Sequence, residues 1–213
     1  MKRIYADLHL CPNLNDTDQV LRVISKASSL GYRLIAITFP LSFSEEKIRG
    51  IRNVCEEAKV DVASRVDLKP RTSKELIYSL RRVRRRFEII AVVCESKNLA
   101  RQAGRDRRVD LLNFPSPDLR KRFFDVAEAE LASSSSSSFE IDMKPLLTLE
   151  GPARIRLLSG LRREANIAKD FHVPIVISSG ASIELFLRRP RELASLARPV
   201  SYTHLTLPTK RIV

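Results

Sequence analysis

Three potential metal ligands lie close together near the start of the chain, in the stretch RIYADLHLCP at residues 3–12. Asp7, His9 and Cys11 alternate with other residues, which predicts a β-strand that points all three side chains to one face. Carboxylate, imidazole and thiolate groups are all ligands of zinc and related metals. The spacing allows two interpretations: a metal site, or a hydrogen-bonded polar cap on the interior of a barrel.

The histidine count argues against a multinuclear metal centre. Such a centre needs several imidazoles and carboxylates that hold ions about 3.5–4 Å apart, and the chain has 3 histidines. His172 precedes a predicted strand and belongs at the opposite end of a barrel, and His204 lies in a segment excluded below. A single ion would need ligands from other strands as well. The sequence therefore favours the polar cap and predicts no bound metal, with Asp7, His9 and Cys11 as weak candidates.

The last residues form a segment unlike the chain before it. The peptide VSYTHLTLPT, which begins at Val200, resembles the translation of a sequencing adapter, and we predict that residues 200–213 are not native. Segments of this kind are excluded from fold reasoning. Their exclusion removes Lys210 and Arg211 and lowers the net charge of +13 by two, so the basic character remains.

The charge balance points to a polyanionic partner. Lysine and arginine number 38 against 25 acidic residues, and an excess of this size on a small domain is typical of nucleic-acid binding. No apolar run approaches the roughly 20 residues that cross a membrane. The 3 cysteines are widely spaced, which indicates neither a disulfide framework nor a zinc knuckle. We expect a cytoplasmic protein with no membrane partner.

Short β-branched runs alternate with amphipathic segments along the chain. A helix is predicted to end at Gly31, and Ser42 with Glu45 predicts a capping box ahead of the next one. The predicted strands cover residues 4–9, 34–38, 60–66, 89–94, 111–114, 139–143 and 175–178.

Seven βα units over residues 1–199 predict one α/β domain, a TIM-like (β/α) barrel of about seven parallel strands. A doubly wound open sheet is the alternative, but no glycine-rich phosphate loop follows the first strand. The serine run at residues 133–138 predicts a flexible surface loop.

The start of the chain, DLHLC, resembles the DLHxH strand of the polymerase and histidinol phosphatase (PHP) superfamily, with Cys11 in place of the second histidine. Four further stretches follow in order: VCESKNLARQA, VDLLNFPS, FEIDMKPLL and ISSGASIELFLRRPREL. Together these motifs resemble one family, the archaeal and eukaryotic ribonuclease P protein component 3. The resemblance spans residues 1–199 and implies a PHP-type barrel whose closing C-terminal helix is missing here.

The resemblance implies a subunit of ribonuclease P that binds RNA and has no catalytic residues of its own. In that ribonucleoprotein an RNA subunit with bound Mg²⁺ hydrolyses the phosphodiester that releases the 5′ leader of precursor tRNA. The implied partners are the RNase P RNA, precursor tRNA and other protein subunits, especially one small protein, and the protein itself binds no cofactor. The alternatives are a PHP-type metal-dependent phosphoesterase that acts alone, and a barrel that binds a small phosphorylated ligand.

Basic side chains at or just after the predicted strand ends are the expected RNA contacts, because the loops of a barrel emerge there. Two serines after the last strand, Ser178 and Ser179, are expected to bind a phosphate or to cap the next helix. A second basic face is predicted on the third helix at Arg81, Arg82, Arg84, Arg85 and Arg86. The first set is Lys69, Arg71, Lys97, Arg101, Lys144, Arg188, Arg189 and Arg191.

Overall fold

A computed structural model of the chain describes residues 4–197 and shows seven parallel strands in one sheet. The strands pair in chain order from the first to the seventh, as expected for a barrel, so the predicted fold is confirmed. Residues 200–213, for which a non-native tail and the loss of a closing helix are predicted, lie outside the described residues. The strands are β1 (Ala6–Leu10), β2 (Leu34–Thr38), β3 (Asp61–Leu68), β4 (Ile89–Val93), β5 (Leu111–Asn113), β6 (Ser138–Asp142) and β7 (Ile175–Ser178).

Helices follow the strands and cover the outer face of the sheet. Short 3₁₀ turns lie at Leu119–Lys121 and Glu184–Phe186. Within residues 4–197, no helix combines the length and the apolar character that crossing a membrane would require. The helices are α1 (Thr17–Ser29), α2 (Glu45–Glu57), α3 (Ser73–Val83), α4 (Lys97–Gly104), α5 (Val126–Ser135), α6 (Lys144–Thr148), α7 (Gly151–Asp170) and α8 (Pro190–Ala197).

The helix ends largely follow the local sequence. Gly31 adopts a φ of +90° directly after α1, a left-handed conformation that glycine adopts without strain, and it ends the helix as predicted. The cap of α2 differs from the prediction: Ser44, not Ser42, accepts a hydrogen bond from the Lys47 amide. Ser44 stands directly before the first helical residue, where a side-chain oxygen can reach the free amides of the first turn.

The two faces of the sheet bury different kinds of side chain. The outer face packs the large apolar residues of alternate strand positions, such as Ile37, Val92 and Phe139, against the helices. The inner face carries a smaller apolar cluster that includes Ala36, Ala63 and Ala91. Small side chains suit the narrow interior of the barrel. The inner face becomes polar toward the carboxyl ends of the strands.

The first and last strands close the barrel through a few specific contacts. The Cys11 amide donates to the Ala181 carbonyl at 2.8 Å, and Leu10 and Ala181 form an isolated parallel bridge. Asp7 adds a side-chain contact to these backbone contacts, since its carboxylate accepts a hydrogen bond from the backbone amide of Ser179 at 3.0 Å. The carboxyl ends of β1 and β7 are therefore held together partly by a side chain.

The serine run at residues 133–138 is not a flexible loop, contrary to the prediction. Its first three residues end α5, Ser136 takes a left-handed φ of 65°, and Ser138 begins β6. Ser135 and Ser137 are buried, and their hydroxyl groups lie 2.8 Å apart. The Ser137 hydroxyl also donates to the Val109 carbonyl. Serine side chains here satisfy backbone and neighbouring groups in the tight passage from helix to strand.

Candidate functional site

A buried polar cluster fills the barrel interior at the carboxyl ends of the strands, and Arg65 lies at its centre. The Arg65 side chain is fully buried, and its two terminal nitrogens bind the two carboxylate oxygens of Glu140 on β6 at 2.5 and 2.6 Å. Its Nε donates to Asp67 at 2.7 Å, and Nη1 donates to the Leu8 carbonyl. One guanidinium thereby links β1, β3 and β6 across the barrel.

His9 lies beside this arginine between two further carboxylates. Its Nδ1 is 2.6 Å from Asp142 Oδ1, and its Nε2 is 3.0 Å from Asp67 Oδ2. The Asn113 amide donates to both Glu140 and Asp142, at 3.0 and 2.8 Å. The hydrogen bonds of His9 Nδ1 and Asn113, together with the close ion-pair contact of His9 Nε2 with Asp67, are those expected of a polar cap on the barrel interior.

Electrostatic contacts within this cluster favour the charged forms of its members. Burial by itself would lower the pKa of His9, but the Asp142 and Asp67 carboxylates raise it well above its ordinary value. Burial would likewise raise the pKa of Asp67, yet its contacts with His9 and Arg65 lower it to about 2. At neutral pH the cluster holds three carboxylates, one imidazolium and one guanidinium, so its own cations balance two of the three negative charges.

Asp7 does not share a site with His9 and Cys11, contrary to the predicted alternation. The pairing of β1 with β2 is irregular between Asp7 and Leu10, so the two-residue period that would align the three side chains is broken there. The Asp7 carboxylate instead accepts from the amides of His9 and Ser179, at the seam of the barrel. Burial raises its pKa despite these bonds.

The interior cluster does not fit a multinuclear metal centre. Among residues 4–197, the ligand atoms of His9, Cys11 and Asp67 lie within 4.8 Å of one another, as do those of His9, Glu140 and Asp142. Both sets depend on the single imidazole of His9, whose contacts favour its protonated form. The buried guanidinium of Arg65 also occupies oxygens of Glu140 and Asp67 and would repel a cation.

Sequence reasoning did not single out Glu140 and Asp142. Both lie in FEIDM, where charged and apolar residues alternate, which is the pattern of a strand with one polar face. Because helices cover the outer face, the polar face of β6 points into the barrel. The alternation itself was the signal that could have found these two carboxylates.

Four predicted RNA contacts lie near the carboxyl ends of the strands. Lys69 and Arg71 are exposed in the loop between β3 and α3, and Lys97 is exposed in the first turn of α4. Lys144 follows β6, where its Nζ donates to the Ser182 hydroxyl at 3.0 Å and lies 5.3 Å from the Phe186 ring centre. These residues present positive charge at one edge of the barrel.

Arg101 is held inside the protein by two carboxylates. Its Nη2 binds both oxygens of Asp125 at 2.5 and 2.6 Å, and its Nη1 donates to Glu128 at 2.9 Å. Only 17% of its side chain is exposed. The arginine therefore fastens α4 to the start of α5, and an RNA contact would have to compete with these ion pairs.

Glu128 makes the junction of α4 and α5 sensitive to pH. Its carboxylate is buried against Gly104, where any side chain would collide with it. Burial raises the pKa of Glu128 to about 7, and Arg101 offsets this only in part. The folded state thus binds a proton more tightly than the unfolded chain, and stability is lost as the pH rises from about 4.5 to 7.

The variant Glu128→Gln is expected to gain stability relative to the unmodified chain as the pH is raised. The relative gain between pH 5 and pH 8 should be about 1–3 kcal/mol, since the amide has no proton to lose. Urea denaturation at a series of pH values measures it. Glu130→Gln, on the exposed side of α5, controls for the loss of one negative charge. Parallel stability curves for Glu128→Gln and the unmodified chain would contradict the prediction.

Ser178 and Ser179 do not present their hydroxyl groups for RNA binding in this structure. Both residues are fully buried. The Ser178 hydroxyl donates to Glu140 at 2.7 Å, and the Ser179 hydroxyl accepts from the Ala181 amide at 3.1 Å. The predicted phosphate contact is replaced by bonds within the interior cluster and the turn after β7.

The basic residues near the C-terminal end of the described chain lie elsewhere than predicted. The segment after β7 runs along α1, where Ser182 contacts Gln19 and Glu184 contacts Arg22. It then reaches Arg188, whose carbonyl accepts from Tyr32, the residue between α1 and β2. The segment therefore leads away from the carboxyl ends of the strands, and it carries Arg188, Arg189 and Arg191 with it.

The second predicted basic face is divided between a helix and a turn. Arg81 and Arg82 lie in the last turn of α3, whereas Arg84, Arg85 and Arg86 follow its last helical residue, Val83. Arg84 pairs with Asp110 at 2.5 Å, and Arg82 lies 5.7 Å from the Tyr78 ring centre.

Two curated relatives share the name ribonuclease P protein component 3. The protein of Methanocaldococcus jannaschii is 30% identical over 151 residues, which cover 71% of this chain and 65% of the relative. The protein of Methanosarcina barkeri is 28% identical over 190 residues, which cover 89% of this chain and 77% of the relative. The chain thus spans just under two thirds of the first relative and more of the second.

A solved structure has the same fold as this chain. A chain in the cryo-EM structure of archaeal ribonuclease P with mature tRNA superposes with a TM-score of 0.77 and 24% identity, over 91% of this chain and 82% of that chain. A sequence profile described as RNase P subunit p30 matches residues 4–204. Because that match covers nearly the whole chain, the protein belongs to the RNase P subunit p30 family.

Proposed function

We propose that this chain is a protein subunit of ribonuclease P that binds the catalytic RNA and supports removal of the 5′ leader from precursor tRNA. In this proposal RNA and its Mg²⁺ carry out the hydrolysis, and the protein binds no cofactor. The observation that carries the proposal is the combination of a strongly basic chain with an interior cluster whose carboxylates are bonded to its own guanidinium and imidazolium.

The exposed lysines and arginines at the barrel edge support an RNA-binding role. Folded RNA brings phosphates close together, and cations that bind them relieve the repulsion. Lys69, Arg71 and Lys97 are exposed on two neighbouring loops, after β3 and β4. Aromatic residues make up 6% of the sequence, which favours recognition of the RNA backbone over stacking of its bases.

The names of the relatives support the choice of partners, as does the similarity to a chain in the complex of archaeal ribonuclease P with tRNA. The proposed partners are the RNase P RNA, precursor tRNA and other protein subunits, especially one small protein. A cytoplasmic, archaeal ribonucleoprotein is the setting that the proposal implies. A PHP-type phosphoesterase that acts alone is not favoured, because His9 is the single imidazole of the interior cluster within the described chain.

Reconstitution of precursor-tRNA cleavage tests the proposal. The protein is added to an archaeal RNase P RNA at low Mg²⁺, with and without a small partner subunit. We expect cleavage to depend on the protein, and Lys69→Ala with Arg71→Ala to slow it about tenfold through lost phosphate contacts. The control, Arg33→Ala with Lys169→Ala, removes the same charge from exposed positions at the opposite end of the barrel.

Two results would contradict the proposed function. One is cleavage by the RNA that does not respond to the protein under any of these conditions. The other is hydrolysis of phosphate esters by the protein alone with added metal, abolished by His9→Ala, which would make the interior cluster a catalytic site.

A further inference from the structure

A basic cleft lies on the outer flank of the barrel, between α2 and the turn after α3. It forms an open cavity of about 220 Å³. Four arginines line this arginine cleft, two from each side, together with one acidic residue and one serine: Arg49, Arg52, Arg85, Arg86, Glu45 and Ser64. The two pairs of arginines come from segments more than thirty residues apart, so the sequence pattern alone did not join them.

Two of the four guanidinium groups are held in place by the protein. Arg52 Nη2 donates to Glu88 at 2.8 Å, and the same carboxylate oxygen accepts from the Ser64 amide at 2.6 Å. Arg86 Nη1 donates to the Leu41 carbonyl at 2.8 Å, and its guanidinium lies 5.2 Å from the Phe87 ring centre. These contacts fix the walls of the cleft before any ligand arrives, which lowers the entropic cost of binding.

The other two arginines have no acidic partner in the part of the chain that the structure describes. Arg49 and Arg85 are exposed, and no ion pair or side-chain hydrogen bond within residues 4–197 engages either guanidinium. Their donors are therefore available to a ligand. With Glu45 in the cleft and Glu88 behind Arg52, the four arginines still leave a net positive charge.

This combination of groups matches a phosphodiester. A guanidinium presents paired N–H donors that bind two phosphate oxygens at once, and it keeps its charge at every physiological pH. Among residues 4–197 no aromatic side chain lines the cavity, so these residues offer a base no stacking surface there. Arg81 and Arg82 on the last turn of α3 extend the positive surface beyond the cleft.

We propose that the arginine cleft binds the phosphodiester backbone of the RNase P RNA, with Arg49 and Arg85 as the residues that bind phosphate. This inference rests on the proposed function and adds a second contact region on the flank of the barrel, apart from Lys69, Arg71 and Lys97 at its edge. It implies that the RNA follows two faces of the protein.

Affinity for RNase P RNA, measured across a range of salt concentrations, tests this inference. The variant Arg49→Gln with Arg85→Gln is compared with the control Arg154→Gln with Arg156→Gln. The control arginines are exposed on α7, which lies between β6 and β7 across the barrel from the cleft. Thermal melting of both variants verifies that the fold is intact.

The logarithm of the RNA association constant falls with the logarithm of the salt concentration. Loss of two phosphate contacts is expected to make this negative slope less steep by about 1.4–1.8, whereas the control retains the slope of the unmodified chain. The ratio of the RNA affinity of the unmodified chain to that of the cleft variant should therefore shrink about tenfold between about 50 and 200 mM salt.

Three outcomes would overturn the inference. If the unmodified chain promotes cleavage and the cleft variant keeps its affinity and salt slope, only the arginine cleft is wrong. If the unmodified chain neither binds the RNA nor promotes cleavage, the proposed function fails and the inference fails with it. If inorganic phosphate binds the unmodified chain and not the cleft variant, while both bind RNA equally, the cleft serves a small phosphorylated ligand.

Discussion

Replacing Arg65 by methionine is expected to lower the free energy of unfolding by about 3–5 kcal/mol, because it leaves buried carboxylates without their counter-charge. Arg65 is fully buried and supplies both bonds of its pair with Glu140, as well as a bond to Asp67. Methionine has a similar length and no donors, so three carboxylates would face His9 alone. The loss should appear in urea denaturation at neutral pH.

Two further variants test whether this loss of stability comes from the buried position and the forked geometry of the guanidinium. Arg22→Met breaks the exposed pair with Glu184, in which 54% of the arginine side chain is accessible, and should cost less than about 1 kcal/mol. Arg65→Lys keeps the charge but cannot reproduce the forked geometry, so its loss should lie between the two. If Arg65→Met is no more damaging than Arg22→Met, the guanidinium does not hold the strands together.

The strand pattern predicted the barrel well because each strand has one apolar face against the helices. The predicted limits of β2 and β7, residues 34–38 and 175–178, match the structure, and the others differ by one or two residues at an end. The serine run was misread because composition alone does not show which neighbours a side chain meets. Ser135 and Ser137 are enclosed by α5 and the segment before β5, a contact that depends on the pairing of β5 with β6.

The candidate site was less predictable, since it depends on which strands meet across the barrel. The residues at the strand ends of β3 and β5, Arg65, Asp67 and Asn113, could be placed at the correct edge. The bond between Arg65 and Glu140 joins positions 75 residues apart on β3 and β6, which face each other only when the sheet curves into a barrel. The path of the segment after β7 along α1 is likewise a tertiary contact, and it carried Arg188 away from the predicted edge.

The interior cluster and the surface arginines have separate roles in this structure. Arg65 and His9 are committed to carboxylates inside the barrel; the Arg65 side chain is fully buried and only 10% of the His9 side chain is exposed. Lys69, Lys97, Arg49 and Arg85 are exposed around it. Under the proposed function the buried set holds the barrel together and the exposed set binds RNA, so variants of the two sets should separate stability from RNA affinity.

The second large effect is expected at a buried pair outside the barrel interior, Arg122 and Glu164. Arg122 Nε and Nη2 donate to the Glu164 carboxylate at 2.9 and 2.5 Å, and Nη1 donates to the carbonyls of Phe114 and Ser116. The pair fastens the segment after β5 to the middle of α7. Both side chains are almost wholly buried, so neither charge can turn to water when its partner is removed.

Arg122→Met is expected to cost about 3–5 kcal/mol at pH 8 and less at pH 5. Burial already raises the pKa of Glu164, and Arg122 opposes that rise. Without the arginine the folded-state pKa rises further, and stability falls as the pH increases from about 4.5 toward that pKa, by at most about 1.4 kcal/mol per pH unit. Protonation at pH 5 relieves the unpaired carboxylate.

Glu164→Leu removes the other partner and should respond differently to pH. Arginine keeps its proton throughout this range, so the stranded guanidinium of Arg122 stays charged, and the loss relative to the unmodified chain should not grow between pH 5 and pH 8. Urea denaturation of both single variants and of the double variant at the two pH values measures these effects. The double variant should lose less than the sum of the two, because neither charge is left alone. Equal pH responses of the two single variants would show that the stability loss comes from packing and not from the buried charges.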